Sequence, residues 1–300
     1  MSNLIIGYGT QGKKRLSNLK SKEKSKNFIF DPIVKGSNII NNLDEINLSN
    51  VSHAYICTPE IEKEHLIEIL VRKQISILVE KPLFINDKKI RKLINNEKST
   101  IYTAYNHRFE PHIINAKQIL DKNKIGEIYN VYCHYGNGTA KLWKDSWREK
   151  ENYSIVHDLG SHVVDTLLFL FNKLPKKFQI DIAQKNELKC YDYLRFSSKD
   201  TFCFSATLSI INWKNYFCLD IIGSKGSIHI NGLCKWGPSI LTINKRVFPS
   251  GHPKQIVKRL VMADPTWRSE EKYFKEISAK NFNNLNENLL INRALRKIVC

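Results

Sequence analysis

Through the first hundred residues, short apolar runs alternate with stretches whose apolar positions recur at helical spacing, the pattern of βαβ units around a parallel sheet. Strands are predicted at 3–6, 27–31, 53–57, 75–79 and 100–104, and helices at 11–20, 61–73 and 87–96, the second carrying Leu66, Ile67 and Leu70 on one face. From about residue 125 the segments lengthen and become strand-like, at 127–135, 188–196, 202–211, 217–222 and 227–231, several separated by short turns. A helix at about 155–171 interrupts them, and two more are predicted at 266–279 and 286–299. The expected fold class is α/β. An N-terminal Rossmann domain with a doubly wound parallel sheet occupies 1–120, and an α+β domain with a largely antiparallel open sheet occupies 121–300.

One turn in the first half carries chemistry. Gly7-Tyr8-Gly9-Thr10-Gln11-Gly12 is a G-x-G-x-x-G run placed after an apolar strand and before a helical pattern, the setting of a dinucleotide-binding turn. Gly7 permits the tight turn, Gly9 lets a pyrophosphate approach the backbone, and Gly12 allows close helix–sheet packing, with Thr10 and Gln11 opening the helix whose N-terminus faces the negative charge. Asp31 ends the next predicted strand, nineteen residues beyond Gly12. It has two readings: acceptor of the adenosine ribose hydroxyls, which favours NAD over NADP, or cap of the Asp-Pro turn that follows it. Lys13 and Lys35 lie near enough in sequence to keep NADP as the alternative cofactor.

Composition narrows the classes. Three hundred residues with 42% hydrophobic and 25% charged content suit two soluble domains. The opening residues run straight into the glycine turn without the layout of a signal peptide, and the apolar stretch at 163–171 contains Asp165 and falls far short of the ~20 residues a membrane helix needs, so a cytoplasmic protein without membrane association is expected. Seven scattered cysteines without a Cys-x-x-Cys pair read as reduced thiols. The net charge of +18 raises nucleic-acid binding, but Lys is spread throughout the chain and its densest clusters, at 13–15 and 20–26, fall on a predicted helix and loop. No nucleic-acid partner is expected. The positive field instead suits a phosphorylated or nucleotide-linked substrate.

Four ordered motifs carry a family resemblance. Tyr55-Ile56-Cys57-Thr58-Pro59 with His65 beyond it, Val79-Glu80-Lys81-Pro82-Leu83, Tyr105-Asn106-His107-Arg108-Phe109-Glu110-Pro111 and His157-Asp158-Leu159-Gly160-Ser161-His162-Val163-Val164-Asp165 resemble successive signatures of the Gfo/Idh/MocA oxidoreductases, and Gly223-Ser224-Lys225-Gly226 resembles a later turn. The resemblance implies a Rossmann domain followed by a substrate domain, and hydride transfer between NAD(P) and a carbon of a sugar, cyclitol or nucleotide-linked sugar. It implies Thr58, Pro59, His65, Glu80 and Lys81 as cofactor-contacting residues, Asn106 and Arg108 as substrate-binding residues or links between domains, and a linking helix after Pro111. A cis Lys81-Pro82 bond and a homodimer or homotetramer follow from the same resemblance.

The chemistry suits these residues. Oxidising a secondary alcohol needs a base of near-neutral pKa, the role of His162; Asp158, four positions earlier on a predicted helix, shares its face, where it contacts the substrate and orients the imidazole or stabilises its cation; Lys81 is a fixed cation for the developing alkoxide. Asp165 is read as structural or functional with equal weight. Trp147 and Arg148, in an aromatic turn-rich loop, either contact substrate or pack beneath the loop. The His157, Asp158, His162 and Asp165 group offers two ligands at helical spacing but no fuller set, so no metal is expected. Asn152-Tyr153-Ser154 stands where many relatives carry three glycines, which bears on the substrate more than on hydride chemistry. A nucleotide-linked sugar of surface-polysaccharide synthesis is the preferred substrate. The alternatives are an NAD-dependent glycosidase on the same scaffold and a non-catalytic cofactor sensor.

Overall fold

The computed structural model describes residues 2–19, 27–95, 98–249 and 251–299. The basic stretch 20–26 and Cys300 lie outside the described residues. The chain divides into two compact units, Met1–Asn106 with Trp267–Leu289 and His107–Thr266 with Leu290–Cys300.

Five strands, β1 (Ser2–Ile6), β2 (Asn27–Phe30), β3 (Val51–Ile56), β4 (Ser76–Glu80) and β5 (Ile101–Ala104), form the sheet of the first unit in the order β2-β1-β3-β4-β5, all parallel. Register lines up Ile5, Tyr55, Leu78 and Tyr102 in one row across the sheet. That row packs on Phe274 and Ile277 of α7 (Thr266–Ser278), on the face where α1 (Thr10–Asn18) contributes Leu16. The alternate residues Leu4, Ala54, Ile77 and Ile101 face the other way, onto Leu66, Ile67 and Leu70 of α2 (Glu60–Arg72) and Ile90 of α3 (Asp87–Ile94). Both faces are covered, which is why these strands read as unbroken apolar runs. A single cut at residue 120 does not reproduce the unit. Phe274 on α7 and Leu285 and Leu289 on α8 (Leu285–Val299) return to this sheet from the far end of the sequence and complete its two hydrophobic layers.

The second unit begins after β5, where Pro111 opens α4 (Pro111–Asp121) at the first turn, the helix position that tolerates a missing N–H. Its sheet has eight strands: β6 (Ile128–Gly136), β7 (Gln179–Gln184), β8 (Tyr193–Ser198), β9 (Cys203–Ser209), β10 (Tyr216–Gly223), β11 (Gly226–Asn231), β12 (Ser239–Val247) and β13 (Gly251–Leu260). They run in the order β13-β12-β11-β10-β6-β9-β8-β7, antiparallel except for the β6–β9 pair. One face buries Val131, Cys133, Tyr135, Phe204, Ala206, Leu219, Ile221, Ile228 and Ile230. Four helical segments follow β6 before β7: the short α5 (Ala140–Trp143), a 3-10 turn over Trp147–Lys150, a π-helical turn over Val156–Gly160, and α6 (Ser161–Phe171), which packs against α4.

No helix among the described residues is long and apolar enough to cross a membrane.

Candidate active site

In the first unit the strand order reverses direction between β1 and β3, and open α/β sheets bind ligands at the C-terminal ends of the strands flanking such a reversal. The glycine turn leaves β1 there, and the Thr58-Pro59 segment leaves β3 beside it. Gly7 has φ +88°, and a Cβ on it would lie 3.0 Å from the Cys57 carbonyl carbon and 3.1 Å from Thr58 Cγ2. A Cβ on Gly12 would sit 2.0 Å from the Gly7 oxygen, whereas one on Gly9 would meet nothing within 4 Å. Gly9 caps α1 with no side chain across the helix end and no acidic residue in the first turn, and Thr10 and Gln11 are exposed. The amide end of a nine-residue helix is thus presented with open space before it, which fits the pyrophosphate of a dinucleotide.

Asp31 is buried and both its carboxylate oxygens accept from backbone amides. Oδ1 accepts from Ile33 N and Val34 N, each at 2.9 Å, and Oδ2 accepts from Tyr8 N at 2.7 Å. Burial works to raise this carboxyl, but the hydrogen bonds from Val34, Tyr8 and Ile33 together hold it below the ordinary carboxylate range. Of its two readings, the turn cap is the one these bonds display, with an added tie to the glycine turn itself.

His65 is exposed on α2, while Lys63 on the same helix is buried. Glu80 ends β4 with its carboxylate directed into the unit: Arg15 Nε donates to it at 2.7 Å, and the same guanidinium lies 2.7 Å from Glu270 on α7 and stacks 4.4 Å from the Trp267 ring. The family resemblance implied Glu80 as a cofactor contact; its Oε1 here accepts from Arg15. Burial pushes the Glu270 carboxyl up to about 7, with Arg15 opposing and Glu80 adding. Lys81 is half-buried on the turn after β4, and its bond to Pro82 is cis.

In the second unit, Asp158 lies in the π-helical turn and His162 in the first turn of α6. The sequence reading treats 155–171 as one helix; the structure divides it into a π-helical turn over Val156–Gly160 and an α-helix from Ser161. Ser161 Oγ donates to the Asp158 carbonyl at 2.9 Å. His162 is buried, its ring stacked on that of His107 with centroids 4.0 Å apart and planes 18° from parallel. Tyr135 of β6 meets the His162 ring edge-on at 5.9 Å. Burial raises the Tyr135 phenol, and the charge of Asp158 pushes it the same way. Lys235 brings its Nζ to 3.4 Å from both His107 Nε2 and the Tyr135 oxygen, over the Trp236 ring at 4.5 Å.

Arg108 directs its guanidinium to Asp165, with Nε at 2.8 Å and Nη2 at 2.5 Å from one carboxylate oxygen. Asp165 is entirely buried, so this pair gives its carboxylate a cationic partner within the unit. Asn106, the neighbouring expectation, is buried. In the aromatic loop, Trp147 is 56% exposed, but the Arg148 guanidinium lies 4.6 Å from its ring and 5.9 Å from that of buried Trp143, so Arg148 is packed between tryptophans.

His107, Tyr135, Lys235 and Lys63 were not singled out for this chemistry by the sequence. Lys63 had a legible signal, since 63, 66, 67 and 70 form one helical stripe and a lysine on it must find buried acceptors. Lys235 had none.

Residues 113–229 match the family model described as the GFO/IDH/MocA C-terminal domain. The chain is 28% identical over 130 residues to inositol 2-dehydrogenase of Rhizobium meliloti (strain 1021), a match covering 42% of this chain and 38% of that protein. It is 24% identical over 167 residues to scyllo-inositol 2-dehydrogenase (NADP(+)) IolW of Bacillus subtilis (strain 168), covering 53% of this chain and 46% of that one. The matched stretches thus span less than half the length of these relatives. A levoglucosan dehydrogenase solved with NADH and levoglucosan shares the fold, with a TM-score of 0.79 and 15% identity over 99% of this chain and 96% of the other.

Proposed function

We propose that this chain, whose residues 113–229 match the GFO/IDH/MocA C-terminal domain model, is an NAD(P)-dependent oxidoreductase acting on a hydroxyl-bearing carbon of a sugar or cyclitol. The observation that carries the reading is the turn between β1 and α1. It combines an uncapped helix N-terminus, open space at Gly9 and glycines at 7 and 12 that leave no room for a side chain, at the point where the strand order reverses. The relatives named as inositol dehydrogenases and the NADH-bound structural neighbour support the substrate and cofactor classes.

Bound at that turn, the nicotinamide dinucleotide supplies the hydride acceptor or donor. Gly7, Gly9, Thr10, Gln11 and Gly12 would hold its pyrophosphate through backbone amides, with Thr58 and Pro59 beside them. Asp31 fixes the Tyr8 amide, and with it the turn, and it is proposed to accept a ribose hydroxyl as well, favouring NAD. His162 takes the proton of the substrate hydroxyl, or returns it in the reductive direction. The His107 ring holds the His162 imidazole on one face and Tyr135 bounds it at the edge, so its rotation is restricted. Asp158 favours the imidazolium that forms. Lys81 would donate a hydrogen bond to a substrate oxygen and stabilise negative charge on it. The net charge of +18 favours a phosphorylated or nucleotide-linked sugar within the class.

A panel of free, phosphorylated and nucleotide-linked sugars and cyclitols, incubated with NAD or NADP and followed at the NADH absorbance, tests this reading. Turnover with a member of the panel, lost in His162→Ala, is expected. Absence of turnover with every member while a glycoside is hydrolysed without NADH accumulation would replace it by the glycosidase reading.

A further inference from the structure

Lys63 lies on the stripe of α2 that faces the first unit's core, between exposed Glu62 and half-buried Glu64. A residue needed there only for packing would be apolar, as Leu66, Ile67 and Leu70 are, because a buried ammonium bears a desolvation penalty that a hydrophobic side chain avoids. Its Nζ donates to the carbonyl of Glu80 at 2.6 Å, to the carbonyl of Pro82 at 2.6 Å and to Glu60 Oε2 at 2.9 Å. Three acceptors match the three donors of the ammonium. The two carbonyls belong to the residues on either side of Lys81.

The arrangement extends further along the turn. Glu60 is 31% exposed, and its other oxygen accepts from the backbone N–H of Phe84. Asn288 Nδ2 donates to the carbonyl of Leu83 at 3.0 Å. Residues 81–86 belong to neither strand nor helix, so backbone groups that a ladder would otherwise hold are held by side chains. Three of them, at positions 82, 83 and 84, are fixed by Lys63, Asn288 and Glu60, and Lys63 also holds the carbonyl of Glu80 at the end of β4.

We infer that Lys63, seconded by Glu60, is a positioning residue for Lys81: it clamps the peptide groups flanking Lys81 and so fixes where the Lys81 ammonium is presented. The catalytic consequence rests on the reading of Lys81 given above; the clamp itself does not.

The test compares wild type, Lys63→Met and Lys63→Arg as full-length chains. Met keeps the stem and removes all three donors, and Arg returns donors. Lys81 is probed directly by its rate of acetylation with acetic anhydride, read by peptide mass spectrometry against Lys185 of the second unit as internal reference. Acetylation of Lys81 is expected to rise by about 3-fold or more in folded Lys63→Met. Turnover is expected to fall ~10-fold at saturating substrate with little change in the Kd for NADH, and Lys63→Arg to recover part of both. Should Lys63→Met not fold, Glu60→Gln, at the more exposed end of the clamp, takes its place in the same comparison. Unchanged Lys81 acetylation in the folded variant overturns the inference. A wild-type protein that neither binds NADH nor turns over any sugar contradicts the oxidoreductase reading alone, and the acetylation comparison then decides the clamp on its own.

Discussion

The imidazole of His107 lies face to face with that of His162, 4.0 Å away, at the start of the second unit's chain, and brings with it Lys235 at 3.4 Å from its own Nε2. Fifty-four positions separate the two histidines, so nothing periodic in the sequence links them. The stack places a buried ring against the residue proposed as the base.

Replacing His107 by Ala removes this face and is expected to lower turnover about tenfold by freeing His162 to rotate, while His107→Phe, which keeps a planar ring, retains more activity. Steady-state kinetics on both variants checks this. Equal rates in wild type, Ala and Phe variants would show that the stack has no part in the reaction.

Asp31→Ala removes the acceptor for Tyr8 N and the cap for Ile33 and Val34. Affinity for both dinucleotides is expected to fall, because the glycine turn loses its tie, and that for NADH is expected to fall more than that for NADPH, because the carboxylate also repels a 2′-phosphate. Fluorescence titration gives both constants. A larger loss for NADPH would reject the ribose role.

Arg108 and Asp165 form a pair whose carboxylate is wholly buried. Arg108→Ala leaves that charge without its guanidinium and is expected to destabilise the protein by roughly 3–5 kcal/mol, whereas Arg108→Ala combined with Asp165→Ala costs less, since no charge is left alone. Urea unfolding of the three variants provides the cycle. A single-variant loss below about 1 kcal/mol would put the pair among weak surface bridges.

Glu270, raised to about 7 in the fold from an unfolded value of about 4.3, binds a proton more readily when folded. Its contribution to stability is therefore complete below the unfolded value and is lost as pH rises through the folded one. The melting temperature of wild type relative to Glu270→Gln is expected to decline between about pH 5 and about pH 8. Parallel melting profiles across that range would show that Glu270 does not titrate there.

The parallel half of the fold was legible because β1, β3 and β4 are buried on both faces and therefore apolar throughout, and the elements predicted there lie within a few residues of those observed. The second sheet was harder to read. Nine of the ten residues of β13 are exposed, and Lys254, Gln255, Lys258 and Arg259 interrupt any alternation, so neither it nor β12 was expected. β7 alternates only weakly at the sheet edge. The unit division was missed because Phe274, Leu285 and Leu289 join the first sheet from the far end of the sequence, a pairing that no local pattern encodes. At the site, the glycines were readable because steric exclusion acts on residue type, as the 2.0 Å approach to Gly7 oxygen shows at Gly12. Partners chosen by folding were not: Glu80 faces Arg15, Arg108 faces Asp165, and His107 covers His162.

The central claim is that the turn after β1 holds a dinucleotide, and calorimetric titration of wild type and Gly12→Ala with NADH and NADPH tests it most directly. Saturable binding to wild type is predicted, weakened about tenfold or more in Gly12→Ala, because a Cβ there displaces the Gly7 carbonyl and the turn with it. Absence of binding to wild type, or equal binding by a folded Gly12→Ala variant, would contradict it.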